Sequence, residues 1–316
     1  MNRDKIEKVT IIGSGPAGYT AAIYAARSGL TPLVISGLDP GGQLMITTDV
    51  ENFPGFENAV QGPWLMDQMK KQAESVGAKI TNGYVKKVNF KTYPFEIMSD
   101  KNELHLSYSV IISTGASAKW LKVEGEEEFR GFGISACATC DGFFYKDKNV
   151  VVVGGGNTAV EEAIYLSNIC KSVTVVHRRS ELRAEKILQE RLKKKRNVRF
   201  LWNKKVGKFL GSENPKLLKR IELLDVSKKE KEYLDIDGAF VAIGHQPATK
   251  IFRNELPMDE QGYIFTTDNL TKTKIDGVFA AGDVTDKIYR QAVTAAGYGC
   301  MSAIEAENFL SEKSII

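Results

Sequence analysis

The chain contains 316 residues, more than one hydrophobic core ordinarily serves, so two domains are expected. Charged residues make up 26% and hydrophobic types 43%, values that exclude a disordered or fibrous chain. The formal net charge of +4, spread over both signs, is too small to specify a nucleic-acid partner and at most favours an acidic one.

No apolar run reaches the roughly 18 residues that a membrane-spanning helix needs, and the apolar segment after Met1–Lys8 is broken at Gly13, unlike a signal-peptide core. A cytoplasmic protein without membrane association is expected. Four cysteines are too few for a disulfide framework in a chain of this length. In a reducing compartment a close pair points instead to catalysis or metal.

The first element is a strand, KVTII at Lys8–Ile12, followed by the turn Gly13-Ser14-Gly15-Pro16-Ala17-Gly18 and the helix-like YTAAIYAARSG. Strand, G-x-G-x-x-G and helix in that order form the signature of a dinucleotide site. Gly13 permits the tight turn, Gly15 lets the backbone approach a pyrophosphate, and Gly18 lets the helix pack on the strand. The unpaired N–H groups of the helix N-terminus then face the phosphates. The next strand, Thr31–Ser36, ends in Ser36 where such motifs often place a ribose-binding acid, so this first motif leaves its nucleotide unidentified.

Mid-chain stands SACATCDGFF at 135–144, with Cys137 and Cys140 three positions apart and Asp141 directly after. Half a zinc site, two buried thiols and a redox couple are all open readings of these residues alone. A second strand, glycine turn and helix follow: NVVVV at Asn149–Val153, Gly154-Gly155-Gly156-Asn157-Thr158-Ala159 as G-x-G-x-x-A, then VEEAIYLSNI. Its next strand, Ser172–Val176, runs into His177-Arg178-Arg179. Arginines there suit a 2′-phosphate that a carboxylate would repel, which favours NADP over NAD; the plain alternative is a solvated strand end. Lys186–Lys205 is basic, but sparse aromatics and the placing of Glu185, Glu190 and Leu192 indicate a helix with a charged outer face rather than a nucleic-acid surface. Further on, VFAAGD at Val278–Asp283 is an apolar strand ending in a carboxylate that could meet a sugar hydroxyl or cap a helix, and Gln291–Gly297 is a helix of small residues.

Two dinucleotide folds in one chain suggest one flavin and one nicotinamide, since a hydride has to pass between two carriers. GSGPAG at 13–18, ISTGA at 112–116, GGGNTA at 154–159 with HRR beyond it, and FAAGD at 279–283 resemble the two-dinucleotide-domain flavoprotein disulfide reductases. CATCDGFF at 137–144, GGQL at 41–44 and IYRQA at 288–292 narrow the resemblance to the low-molecular-weight thioredoxin reductases of the bacterial type, from about Lys8 to about Glu305.

The resemblance implies an α/β fold of two Rossmann-like dinucleotide-binding domains, with an NADPH domain at residues 118–246 inserted into a discontinuous FAD domain at 1–117 and 247–316. TGASA at 114–118 and AIGHQPA at 242–248, with their small residues, Gly and Pro, independently read as the crossings. The implied FAD contacts are Gly13, Ser14, Gly15, Pro16 and Ala17 in the first turn, Ser36 after it, and Gly41, Gly42, Gln43 and Leu44 in GGQL. Asn52, Gly282, Asp283, Arg290, Gln291 and Ala292 complete them. NADPH is assigned Gly154, Gly156, Asn157 and Thr158 at the pyrophosphate, with His177, Arg178, Arg179 and Arg183 around the 2′-phosphate.

For a zinc site Cys137 and Cys140 need two more ligands, yet Cys170 and Cys300 stand alone in helix-like contexts and His105, His177 and His245 show no ligand spacing. A redox couple has a use for each feature. Two intervening residues bring the sulfurs within reach of a small-ring disulfide, and thiolates are favoured in such pairs. Asp141 is placed to supply the proton that disulfide reduction needs, unless it caps the next turn. The family pattern makes Cys140 the sulfur at the flavin and Cys137 the one that attacks the protein substrate. His245 is given no catalytic role, and Cys170 and Cys300 are read as packing residues.

The expected activity is NADPH-dependent thioredoxin-disulfide reduction in a homodimer, with electrons running from NADPH through FAD and the Cys137–Cys140 disulfide to thioredoxin. The cysteines share a domain with NADPH while the other domain holds the flavin, so a rotation of the inserted domain about the crossings is expected. A ferredoxin–NADP reductase of this architecture would not need CATC, and a peroxiredoxin-reducing flavoprotein usually carries an extra N-terminal redox domain. A nucleotide-sensing interaction module makes no demand for a redox pair.

Overall fold

A computed structural model describes residues 6–47, 49–228, 230–267 and 271–316. The chain opens with β1 (Ile6–Ile12), α1 (Pro16–Arg27), β2 (Leu33–Ile35), β3 (Asp49–Val50), β4 (Val60–Gln61) and α2 (Gly62–Ser75). It continues through β5 (Lys79–Thr81), β6 (Val85–Asn89), β7 (Phe95–Ser99), β8 (Leu104–Ile112), β9 (Ala116–Ala118), β10 (Ile134–Ser135) and α3 (Ala138–Asp141). Next come β11 (Asn149–Val153), α4 (Asn157–Ser167), β12 (Ser172–His177), α5 (Lys186–Lys193), β13 (Val198–Trp202), β14 (Lys204–Glu213) and β15 (Lys216–Asp225). The chain ends with β16 (Lys231–Asp235), β17 (Gly238–Val241), β18 (His245–Pro247), β19 (Val278–Ala280) and α6 (Ala292–Glu312). It divides into two compact units, Met1–Ser117 with Gln246–Ile316, and Ala118–His245.

In the first unit β1 is buried from Val9 onward, with Val9 and Ile11 in one core cluster and Ile12 in another. Apolar residues on both faces are what a central parallel strand requires. The sheet runs β5-β2-β1-β8 with parallel pairing. On its other side β8 has two partners. Its first half takes β7 antiparallel, with β6 beyond, and its second half takes β19 parallel, Val110 facing Val278 and Ile112 facing Ala280. A strand from the far end of the sequence thus completes the sheet begun by β1.

Helix α6 is much longer than the expected Gln291–Gly297; Gln291 is its N-cap, in a capping box with Thr294. Its small residues serve close approach to α1: a Cβ on Gly299 would lie 2.1 Å from the Ala17 carbonyl oxygen, whereas one on Gly297 would meet nothing within 4 Å. The two glycines are therefore expected to respond oppositely. Gly299→Ala should lower the unfolding midpoint by a loss of about 2–3 kcal/mol, while Gly297→Ala should raise it by a gain of about 0.5–1 kcal/mol. Thermal melts of the two variants beside the parent check the signs.

The second unit is built on an all-parallel sheet in the order β10-β17-β11-β12-β13. An antiparallel sheet, β14-β15-β16, accompanies it. The basic stretch from Lys186 is helical only to Lys193, with Leu192 buried; Val198–Trp202 is the edge strand β13. At the crossings β9 and β18 pair with each other. Among the described residues no helix is long and apolar enough to cross a membrane.

Candidate functional site

The first glycine turn separates its three glycines by function. Gly13 has φ +112°, and a Cβ there would sit 2.3 Å from the Ser113 carbonyl oxygen. A Cβ on Gly18 would sit 2.1 Å from the Gly13 carbonyl oxygen. Both are glycine because the chain packs on itself. A Cβ on Gly15 would meet no protein atom within 4 Å, so internal packing does not account for glycine there. Gly15 is the N-cap of α1 and Pro16 occupies its first turn, where a missing N–H costs nothing.

The surrounding segments are tied to this turn. The buried Ser14 hydroxyl donates to the Ser36 carbonyl oxygen at 2.6 Å and accepts the Gly41 N–H at 3.0 Å, joining the end of β2 and the GGQL segment to the turn. Gly42 passes close by: its Cβ would lie 3.4 Å from the Gly15 Cα. Beyond it Gln43 is exposed and Leu44 half-buried in the 3₁₀ turn Gly42–Ile46.

The strand expected over Val278–Asp283 ends at Ala280, and Gly282–Val284 forms a 3₁₀ turn. A Cβ on Gly282 would come within 3.0 Å of the Ala17 Cβ and 3.4 Å of the Ala295 Cβ, which places this turn at the N-terminal ends of α1 and α6. Burial, reinforced by repulsion from Asp286 and opposed by Arg290, pushes the Asp283 carboxyl up to about 7. Asp286, which the sequence reading missed, shapes the loop that follows. Its carboxylate accepts N–H groups from Ile288 and Tyr289 at 2.9 Å each and from Arg290 at 3.0 Å. Arg290 is held at φ +50°, and its guanidinium donates to the Lys287 carbonyl oxygen at 2.7 Å. The Asn52 amide donates to Gln291 Oε1 at 3.3 Å, and Ala292 opens α6. The signal for Asp286 was present as an Asp at the head of a turn, a residue type that binds backbone N–H groups two and three positions on.

The second motif repeats this division. A Cβ on Gly154 would lie 2.4 Å from the Ala242 carbonyl oxygen, and one on Gly155 would enter the His177 ring at 2.3 Å. A Cβ on Gly156 would meet nothing within 4 Å. His177 is 5% exposed and supports the turn from beneath, packed edge-on against Trp202. Burial first, then Arg183, Arg179 and Arg178, hold its imidazole below the usual range, against a backbone hydrogen bond at Glu181 that raises it. Arg178, Arg179 and Arg183 are exposed, and the Arg183 N–H donates to the Gly155 carbonyl oxygen at 2.7 Å, folding the arginine loop back onto the turn. The Asn157 side chain is engaged on both sides by Glu185, through its amide at 3.1 Å and its carbonyl at 2.9 Å, and Thr158 is half-buried in the first turn of α4.

Cys137 and Cys140 form a disulfide, with Cα atoms 5.3 Å apart. This pairing removes the zinc and buried-thiol readings for this state of the chain. Cys137 is half-buried and Cys140 exposed, at either end of the single turn that α3 makes. Asp141 makes no side-chain cap to the following 3₁₀ turn, Gly142–Tyr145. Its carboxyl is instead raised above the usual range by burial, against a lowering hydrogen bond from Ser135. Tyr145 is pushed up to about 12 by burial and by Asp141. The other thiols differ: Cys170 is buried and pushed up to about 11 by that burial, and Cys300 hydrogen-bonds Tyr24. His245 begins β18 and is half-buried.

The family pattern of the pyridine nucleotide-disulphide oxidoreductases matches residues 7–299. A thioredoxin reductase of Rickettsia felis is 55% identical over 305 residues, covering 96% of this chain and 98% of that protein. One from Coxiella burnetii is 49% identical, with 98% of both chains covered. The chain belongs to the thioredoxin reductases of that family. Among solved structures of this family, a Giardia duodenalis thioredoxin reductase superposes with a TM-score of 0.92 at 38% identity, covering 96% of this chain and 98% of the other. One from Streptococcus pyogenes gives 0.91 at 38% identity, covering 98% and 99%.

Thioredoxin reductases use FAD and NADPH. The residues fit both groups on observations internal to this chain. In each motif the first and third positions are packed, while the middle glycine, Gly15 or Gly156, borders open space beside a helix N-terminus. Asp283 keeps a half-buried carboxyl, suited to sugar hydroxyls, at the first motif. Three exposed guanidinium groups stand at the second.

Proposed function

We propose that this chain is an NADPH-dependent thioredoxin-disulfide reductase whose inserted unit, near residues 118–246, binds NADPH and carries the working disulfide. Residues 1–117 and 247–316 then hold FAD through the contacts assigned above. The observation that carries the reading is the Cys137–Cys140 disulfide beside a carboxyl of raised proton affinity. When bound, NADPH would supply a hydride and FAD would carry its electron pair toward the Cys137–Cys140 disulfide.

Once reduced, the Cys137 thiolate attacks one sulfur of the thioredoxin disulfide; that S–S bond breaks and a Cys137–thioredoxin mixed disulfide forms. The displaced thioredoxin sulfur takes a proton from Asp141. The Cys140 thiolate then attacks Cys137, the mixed disulfide breaks, and the Cys137–Cys140 bond closes as the second thioredoxin sulfur leaves as a thiolate and takes its proton from solvent, which also reprotonates Asp141. Two electrons leave the enzyme and one substrate disulfide becomes two thiols. Because nicotinamide and cysteines both need the one flavin, the inserted unit turns about β9 and β18 between half-reactions. A homodimer in the cytoplasm is part of the same reading, and sedimentation of the purified protein checks the dimer.

The deciding assay combines purified protein, NADPH, thioredoxin and a chromogenic disulfide, beside the same mixture without thioredoxin. Colour should develop rapidly only in the complete mixture; equal rates in both would sink the assignment. Asp141→Asn should slow the thioredoxin half-reaction by about 10²-fold and leave NADPH-dependent flavin reduction unchanged. The raised carboxyl is protonated to higher pH than an ordinary aspartate, so the parent rate should fall as pH rises through that value. The asparagine variant should lose this limb, as stopped-flow profiles would reveal.

A further inference from the structure

Ser135, the last residue of β10, is 7% exposed and lies two residues before the disulfide. Its hydroxyl oxygen accepts the Cys137 N–H at 3.0 Å and stands 3.3 Å from the Cys137 carbonyl oxygen, to which it can donate. Beside the Cys137 carbonyl oxygen, which the Asp141 N–H also reaches, the same hydroxyl stands close enough to the Asp141 carboxyl to favour its ionised form. Asp141 is also fixed through its backbone, its N–H donating to the Cys137 carbonyl oxygen at 3.1 Å. One buried hydroxyl thus connects the backbone of the first cysteine to the carboxyl that follows the second.

We propose that Ser135 is a positioning residue for proton transfer, whose hydroxyl holds the Asp141 carboxyl against the Cys137–Cys140 turn in both of its protonation states. The proposal rests on the thioredoxin-reductase reading of this site. A hydroxyl has one hydrogen and two lone pairs. When Asp141 is ionised, that hydrogen points to the carboxylate. When Asp141 carries its proton, the acid donates to the Ser135 oxygen and the hydroxyl hydrogen turns to the Cys137 carbonyl. The partly buried group is satisfied either way, so the proton can leave and return without orphaning a polar atom. Alanine offers neither role.

The remaining neighbours of Asp141 leave this function to Ser135. Tyr145, on the 3₁₀ turn, lies beside Asp141 but is kept protonated by burial, with its ring edge-on to Phe240 at 5.3 Å. Lys148 Nζ is 5.6 Å from that ring, and from α4 the Tyr165 ring reaches Gly142. Removing the Ser135 hydrogen bond removes a preference for the ionised carboxylate, so the proton affinity of Asp141 rises.

The test follows prereduced enzyme reacting with oxidised thioredoxin by stopped flow, with pH raised stepwise from the ordinary aspartate range. In Ser135→Ala the descending limb should move up by about one pH unit; in Ser135→Thr, which restores the hydroxyl, it should return to the parent position. An unmoved limb in the alanine variant, or a moved one in the threonine variant, overturns the proposal. Ser135→Gly is read in the same way should the alanine variant not fold. Independently of activity, isotope-edited infrared titration of the parent should show a hydrogen-bonded Asp141 carboxyl, absent from Asp141→Asn; a free carboxyl stretch overturns the proposal. If prereduced parent enzyme fails to reduce thioredoxin at all, the functional reading falls, and the infrared outcome alone decides the role of Ser135.

Discussion

Cys140→Ser is expected to lower thioredoxin-dependent turnover by about 10⁴-fold or more while the protein stays yellow and its flavin is still reduced by NADPH. The reason lies in the chain of bond exchanges rather than in folding. Cys140 is exposed and the disulfide joins residues only three apart, so its loss removes little structure. What disappears is the sulfur that resolves the mixed disulfide. The remaining Cys137 thiolate can still attack thioredoxin, displacing one thiolate, but nothing then attacks Cys137. A stable one-to-one adduct should therefore accumulate and be visible on a non-reducing gel. Cys137→Ser should lose turnover equally and form no such adduct. If the two variants behave alike in trapping, the division of labour between the sulfurs is wrong; if either retains turnover, so is the disulfide itself.

The second large effect concerns nucleotide choice. Arg178→Ala combined with Arg179→Ala should raise KM for NADPH by about 10²-fold or more, since charge-assisted bonds to phosphate contribute about 1.5–3 kcal/mol each. KM for NADH, which lacks the 2′-phosphate, should hardly change. Both side chains are exposed beyond β12, so the substitutions leave the core untouched. His177, buried beneath Gly155, is a poor choice for the same experiment because its loss would disturb the turn itself. Initial rates with each nucleotide check the prediction, and equal changes for both would remove the phosphate argument.

Much of the site was legible because glycine spacing records backbone demands. Gly13 and Gly18 are required by atoms about 2 Å from where a Cβ would stand, and such positions leave a mark in any sequence that folds this way. The paired cysteines and the arginines after β12 are legible for a similar reason, since their chemistry has few substitutes. Other features depend on partners distant in sequence. Ser14 reads only as a cofactor contact between two glycines, yet it also binds the end of β2 and Gly41. His177 reads as one of three basic residues, yet it is the last residue of β12, a strand buried on both faces, and lies under Gly155, while Arg178 follows the strand into solvent. The length of α6 was hidden because its small residues pack on α1 without a strong polar and apolar alternation. The antiparallel sheet β14-β15-β16, with lysines and glutamates on its strands, resembles solvated surface until its pairing is known.

Strand β19 pairs with the second half of β8 from far along the chain. A ribosome releases Ala118–His245 as one uninterrupted piece, able to collapse as soon as it clears the exit tunnel. The surrounding unit must wait, with the second half of β8 lacking a neighbour and α1 lacking its cover, until β19 and α6 have been made. Asp283 and Gln291 arrive in that same closing stretch. Under the flavin contacts proposed for that stretch, acquisition of the flavin is a terminal event of biogenesis, and nascent chains halted before β19 should emerge colourless with the inserted portion already folded.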